Sequence, residues 1–140
     1  MLSTFPQLFD FQFYGPLILR LALGVILFAH GWSKFKNDKA QFAGRLELLK
    51  FRPGKFWAWV VALTEFLGGI LILIGLFTQL TVLVLAIEFL VIIFWVRHGQ
   101  PLVAKSEAPS MSREFDFLIL AALLALLVLG PGAWAVDYPL

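Results

Sequence analysis

The 140 residues are 61% hydrophobic with a mean hydropathy of +0.90, and only 14% are charged. Soluble domains usually hold about 25% charged residues, so this composition excludes a soluble protein and predicts a single membrane domain over residues 1–140. The net charge of +2 indicates little by itself, and the absence of cysteine excludes disulfide and thiolate chemistry by this chain.

Four apolar stretches are long enough to be read as membrane-crossing helices. They cover about residues 15–31, 57–77, 80–96 and 115–129. Only a few residues separate the second stretch from the third, so these two helices are expected to form a tight antiparallel hairpin. The predicted fold class is therefore an all-α membrane protein with a four-helix transmembrane bundle.

The basic residues concentrate in two of the predicted loops. Ten of the eleven Lys and Arg residues lie there: Lys34, Lys36, Lys39, Arg45, Lys50, Arg52 and Lys55 in the first loop, and Arg97, Lys105 and Arg113 in the third. The positive-inside rule makes these loops cytoplasmic and places both termini outside.

The first loop also has a helical pattern. Asp38 and Gln41 fit a capping box, and Phe42, Leu46 and Leu49 share one helical face. The pattern predicts a short amphipathic helix on the cytoplasmic leaflet, with a solvated charged loop as the alternative. The expected membrane-surface basic patch suits anionic lipid or an acidic partner, and it comprises Lys34, Lys36, Arg45, Lys50, Arg52 and Lys55. Nucleic acid is not expected as a partner, because these residues flank the membrane.

Four ionisable residues fall within the predicted spans: Arg20, His30, Glu65 and Glu88. A charge near the bilayer centre costs roughly 2.5–3.5 kcal/mol on insertion scales, so each needs a partner or a change of protonation. Arg20 is expected to pair with Glu65 or Glu88, which would leave the other glutamate protonated. Such a group either forms a ligand or proton site or serves as a bridge that fixes helix register.

Two further features accompany these charges. Small residues on the same helical faces predict close helix packing, and they are Gly24, Gly31, Gly68 and Gly69. His30 and His98 are expected at one depth, where they could ligate a haem or a metal or could be interfacial histidines. No third ligand lies nearby in the sequence, so no metal site is predicted.

Several short motifs occur in a characteristic order between about Tyr14 and Asp137. They are Arg20-Leu-Ala-Leu-Gly24, His30-Gly-Trp-Ser-Lys34, Glu65-Phe-Leu-Gly-Gly69, Gly75-Leu-Phe-Thr78, Gly130-Pro-Gly132 and Asp137. In this order and spacing the chain resembles the DoxX family of small four-helix membrane proteins. The resemblance implies a location in a prokaryotic cell (inner) membrane. It also implies a link to membrane oxidoreductase complexes, including thiosulfate:quinone oxidoreductase subunits.

Three functions are compatible with these features. The first is a non-catalytic subunit or anchor that recruits a membrane-associated oxidoreductase. The second is a quinone-binding oxidoreductase with a pocket at Arg20, Glu65 and Glu88, and the third is a pathway for a small solute or for protons through the same acids. No cofactor is evident from the residues, although quinone is possible, and neither catalytic residues nor an oligomeric state can be assigned.

Overall fold

The computed structural model describes residues 5–36, 39–103 and 113–137, and all regular structure in these ranges is helical. In the described ranges a short 3-10 helix, Pro6–Tyr14, leads into the first of five α-helices. These are α1 (Gly15–Lys36), α2 (Lys39–Leu48), α3 (Gly54–Ile74), α4 (Thr78–Val91, continued by a π-helical turn at Ile92–Val96) and α5 (Glu114–Leu129).

Three helices of the described part of the chain are long and apolar enough to cross a membrane: Asp10–Lys36, Gly54–Ile74 and Thr78–Val96. The chain is thus a multi-pass membrane protein. Helix α5 has 16 residues, which is about 24 Å at 1.5 Å per residue and short of the roughly 30 Å hydrocarbon core. The predicted fourth span remains a prediction.

The second span ends earlier than the sequence pattern predicts, at Ile74. Gly75 adopts a left-handed conformation with φ of 70°, and its N–H donates to the carbonyls of Leu71 and Ile72. This is a common helix termination, and glycine adopts it without the steric cost that a side chain would add. The turn between α3 and α4 is consequently short.

Glycines bring α1 and α3 into close backbone contact. A Cβ atom on Gly31 would lie 2.5 Å from the backbone nitrogen of Phe66, and one on Gly69 would lie 2.5 Å from that of Phe28. Gly24 meets the backbone of Gly69. Larger side chains would force the helices apart, so these contacts set the register between α1 and α3.

Gly68 faces a different neighbour. A Cβ there would lie 2.9 Å from the Leu85 side chain of α4. The core continues from this contact with apolar side chains of α1, α3, α4 and α5, namely Leu23, Leu27, Ile72, Val82, Leu85, Ala86, Phe89, Ile92, Ile93, Ile119, Leu120, Leu123 and Leu126. Outward-facing positions such as Ile18 and Val128 are also apolar and exposed, as a lipid-facing surface requires.

Helix α2 packs against the start of α3. Ala43 and Leu46 are buried against Ala58, and the Gly54 N–H donates to Glu47 Oε1 at 3.3 Å. A helix is present in the first loop, and its location on the cytoplasmic leaflet stays a prediction. Asp38 of the predicted capping box lies outside the described residues. We call the end of the bundle that carries α2 the basic end, and the opposite end, at the turn between α3 and α4, the turn end.

The segment after α5 folds back over the turn end. The Asp137 carboxylate accepts the backbone N–H of Phe77 at 2.7 Å and also that of Thr78, and its own N–H donates to the Gly75 carbonyl at 2.8 Å. Asp137 therefore caps α4 from a distant part of the chain. Partial burial raises the pKa of Asp137, but the hydrogen bonds from Thr78 and Phe77 and the charge of Arg20 outweigh it and hold the pKa below its ordinary value.

Replacing Gly31 by alanine should destabilise the bundle. The added methyl group would meet the backbone of Phe66 rather than a flexible side chain, so we expect a loss of about 1–3 kcal/mol in the free energy of unfolding in detergent. Gly44→Ala is the matched control, because a Cβ on Gly44 meets nothing within 4 Å. It should leave stability unchanged or raise it by roughly 0.5–1 kcal/mol. Equal effects of the two substitutions would contradict the proposed register contact.

Asp137→Ala should remove the cap of α4 and lower the free energy of unfolding by about 1 kcal/mol at neutral pH. Because the folded pKa of Asp137 lies below its unfolded value, this stabilisation is present above the unfolded pKa and is lost as pH falls through the folded pKa. Thermal unfolding should show a lower midpoint for the mutant than for the wild type at neutral pH, and this difference should disappear at acidic pH. Asp10→Ala removes an exposed acid of the same charge and should show no such difference.

Candidate functional site

A buried ion pair lies toward the basic end of the bundle. Lys34 Nζ is 2.7 Å from Oε1 and 2.6 Å from Oε2 of Glu65. The glutamate side chain is 1% exposed and that of the lysine 21%. The Lys34 ammonium also lies 5.1 Å from the ring centroid of Phe42, a favourable cation–π distance. Both carboxylate oxygens of Glu65 are thus neutralised by one cation.

The α1–α3 register explains this pair. Gly31 packs on the backbone of Phe66, which brings Glu65 beside the last turns of α1. Lys34 follows Gly31 by three residues and therefore lies on the same helical face. The face that begins with Arg20, Gly24 and Gly31 continues to Lys34, which is the signal in the sequence that could have identified the lysine as a buried partner.

A second acid, Glu88 of α4, lies next to the ion pair. Its Oε2 makes a hydrogen bond with Thr64 Oγ1, whereas its Oε1 is enclosed and has no hydrogen-bond partner. Thr64 Oγ1 also lies 2.8 Å from the Val60 carbonyl and 3.0 Å from that of Val61. Glu88 therefore has no cation of its own.

Arg20 lies at the turn end, and the prediction that it pairs with Glu65 or Glu88 is wrong. Its side chain is 1% exposed, and Nη1 donates to the Pro131 carbonyl at 2.9 Å. Nη2 reaches the Leu73 carbonyl at 3.5 Å.

The register accounts for this separation. Gly31, which packs beside the Glu65 turn, is eleven residues from Arg20, and this corresponds to about 16 Å along the helix. That distance is too long for the arginine to reach. Arg20 instead lies near the carbonyls at the carboxyl end of α3, where the helix dipole favours a cation. Its guanidinium packs so closely on Gly75 that a Cβ there would lie 2.5 Å from Nη1.

The predicted common pocket of Arg20, Glu65 and Glu88 is consequently not formed. A different cavity of about 240 Å³ lies beside the ion pair, between α1, α2 and α3. It is lined by Lys34, Phe35, Phe42, Lys55, Trp59 and Ala62, among others. Two lysines and several aromatic rings therefore line a mostly apolar space.

A second ion pair connects the end of α4 to the start of α5. Arg97 Nε lies 2.8 Å from Oδ2 of Asp116, whose side chain is 6% exposed. Sequence reasoning placed Arg97 in a loop and missed Asp116, although an acid in the first turn of a helix is a recognised signal. His30 packs its ring against Phe115 with centroids 5.6 Å apart.

His98 is exposed beyond the end of α4. Within residues 5–36, 39–103 and 113–137, no three His, Cys, Asp or Glu side chains group so that they could hold a metal ion.

The predicted basic patch is divided by the fold. Lys34 belongs to the buried ion pair instead. The Lys36 ammonium lies 5.2 Å from the ring centroid of Trp32. Four members remain exposed on α2 and the residues that follow it: Arg45, Lys50, Arg52 and Lys55. This group is called the α2 basic surface below.

Lys34→Met should be strongly destabilising, because Glu65 would remain buried without its cation. The loss in the free energy of unfolding should be up to roughly 3–5 kcal/mol and smaller if Glu65 takes up a proton. Lys36→Met, which removes an equal charge two residues away, should have little effect on thermal unfolding. The double variant Lys34→Met with Glu65→Leu should be milder than Lys34→Met alone; additive effects in this cycle would mean that the two residues do not interact.

Comparisons with known proteins agree with this architecture. The family model DoxX matches residues 15–98. The chain is 33% identical over 126 residues to "Putative oxidoreductase CatD" of Bacillus subtilis (strain 168), covering 88% of this chain and 84% of that protein. It is 27% identical over 132 residues to "Uncharacterized membrane protein Rv3486" of Mycobacterium tuberculosis (strain ATCC 25618 / H37Rv), covering 88% and 81%. No solved structure matches. The chain therefore belongs to the DoxX family of membrane proteins.

Proposed function

We propose that this chain is a non-catalytic membrane subunit or anchor of a membrane-associated oxidoreductase system. Its α2 basic surface lies on the cytoplasmic side of a prokaryotic cell membrane and both termini lie outside, in agreement with the charge distribution of the loops. Support for the redox association comes from the relative named "Putative oxidoreductase CatD".

The α2 basic surface is the observation that carries this proposal. Helix α2 is held on α3 by the packing of Ala43 and Leu46 against Ala58, so the cations on and after α2 have a defined position relative to α3. Arg45, Lys50 and Arg52 are exposed and do not take part in the buried ion pairs. A fixed group of cations at the membrane surface suits an acidic protein face, which it would attract and orient.

The cysteine-free sequence favours the role of a non-catalytic subunit over that of an enzyme. Side chains other than cysteine rarely carry electrons, so electron transfer would need a bound cofactor or another polypeptide. In the proposed arrangement that polypeptide is the docked oxidoreductase, and the bundle supplies its attachment to the bilayer.

Native purification in a mild detergent tests the proposal. An oxidoreductase should co-purify with the wild-type chain and should be lost from the variant Lys50→Glu with Arg52→Glu. The matched control is Lys36→Glu, which changes a cation that lies over Trp32 and outside the α2 basic surface. Retention of the enzyme by the double variant, or its equal loss from the control, would contradict docking through this surface.

Quinone binding is a second candidate, favoured by the cavity beside Lys34. Phe35 and Trp59 lie with ring centroids 5.2 Å apart in its wall. Lys34 has three N–H donors and its hydrogen bond to Oε1 of Glu65 uses one of them, so Lys34 can also donate to a ligand carbonyl. In the same purification, the wild-type protein should retain quinone. The amount of bound quinone should fall in Trp59→Leu but not in Trp95→Leu, which removes an exposed tryptophan outside the cavity.

A further inference from the structure

We propose that Glu88 is a proton-binding site inside the membrane: its carboxyl group is protonated in the resting protein, while the neighbouring Lys34–Glu65 pair stays ionised. The ligand is the proton itself. The inference does not depend on whether a partner protein docks on the α2 basic surface, because it concerns only side chains of α1, α3 and α4 within the bundle.

The distribution of charge is the first argument. Lys34, Glu65 and Glu88 interact electrostatically at this point, and His30 of α1 interacts with Lys34 and Glu65. Lys34 lies within 2.7 Å of both carboxylate oxygens of Glu65, so its positive charge balances the negative charge of that residue. An ionised Glu88 would be a second negative charge with no cation of its own, and such a charge is costly at membrane depth.

Hydrogen-bond donors provide the second argument. The Thr64 hydroxyl has one proton, yet Oγ1 lies within hydrogen-bond distance of the carbonyls of Val60 and Val61 and of Oε2 of Glu88. All three neighbours are acceptors if Glu88 is ionised, and a single proton satisfies only one or two of them. If Glu88 is protonated, it donates to Oγ1, and the threonine proton remains available for the helix carbonyls, a common arrangement for threonine in a helix.

The remaining oxygen of Glu88 gives the third argument. Oε1 is enclosed and has no hydrogen-bond partner. A bare carbonyl oxygen of a neutral acid tolerates this position better than a carboxylate oxygen, whose charge requires donors. The interactions of both oxygens thus agree with the neutral form.

A lipid-soluble carbodiimide distinguishes the two acids. The reagent requires a protonated carboxyl group: the acid adds across its C=N bond to give an O-acylurea, which rearranges to a stable N-acylurea with no atom lost. The purified full-length protein in liposomes should acquire a single label, mapped to Glu88 by mass spectrometry of its peptides. Glu88→Gln should reduce labelling to background, whereas Glu47→Gln, which changes an exposed acid of α2, should leave it unchanged.

Substitution of Lys34 gives a second labelling test. Lys34→Met removes the cation of Glu65, which should then bind a proton and appear as a second labelled residue, whereas Lys36→Met should keep the single label. Thermal unfolding gives an independent measurement, because glutamine has the shape of a neutral glutamic acid: Glu88→Gln should keep the wild-type midpoint and Glu65→Gln should lower it. Labelling of Glu65 instead of Glu88 in wild type, no labelling of Glu88, or a midpoint of Glu88→Gln as low as that of Glu65→Gln would overturn the proposal.

Discussion

The close approach of α1 and α3 at their glycines is the constraint on which the other features depend. Gly31 and Gly69 meet the opposite backbone directly, so the two helices can adopt only a narrow range of registers. In a bilayer, where apolar side chains gain nothing from contacting each other rather than lipid, such fitted contacts are the main source of specificity between helices. The Lys34–Glu65 ion pair between α1 and α3 then follows from that register.

One consequence is that the buried charges are distributed between two ends. At the turn end, Arg20 Nη1 and Nη2 donate to the main-chain carbonyls of Pro131 and Leu73. Toward the basic end, Lys34 neutralises Glu65. Each group finds its partner within the protein because the hydrocarbon core offers none, and each also joins elements that are far apart in the chain. The segment that contains Asp137 packs over the turn end, and the opposite side contains Glu65, Glu88 and the cavity of about 240 Å³ beside Lys34.

This distribution gives the basic end the features relevant to function. The α2 basic surface is exposed, while the Lys34–Glu65 pair and Glu88 lie within the bundle. Lys34 both lines the cavity and forms the ion pair. The same lysine also contacts Phe42 of α2, which joins the surface helix to the buried site.

The sequence by itself determined the class of the protein and three of its membrane-crossing helices. Composition requires a membrane protein, and periodicity places Arg20, Gly24 and Gly31 on one face, because both depend on the chemistry and spacing of nearby residues. The partners of Arg20 and Glu65 depend on helix register instead, and that is decided where Gly31 meets Phe66. The sequence pattern indicates that Lys34 is a surface cation. Nothing in the sequence around Asp137 indicates that this residue caps α4, as it does in the structure. Only the tertiary structure decided these pairings, because residues distant in sequence are brought together by packing that no local pattern records.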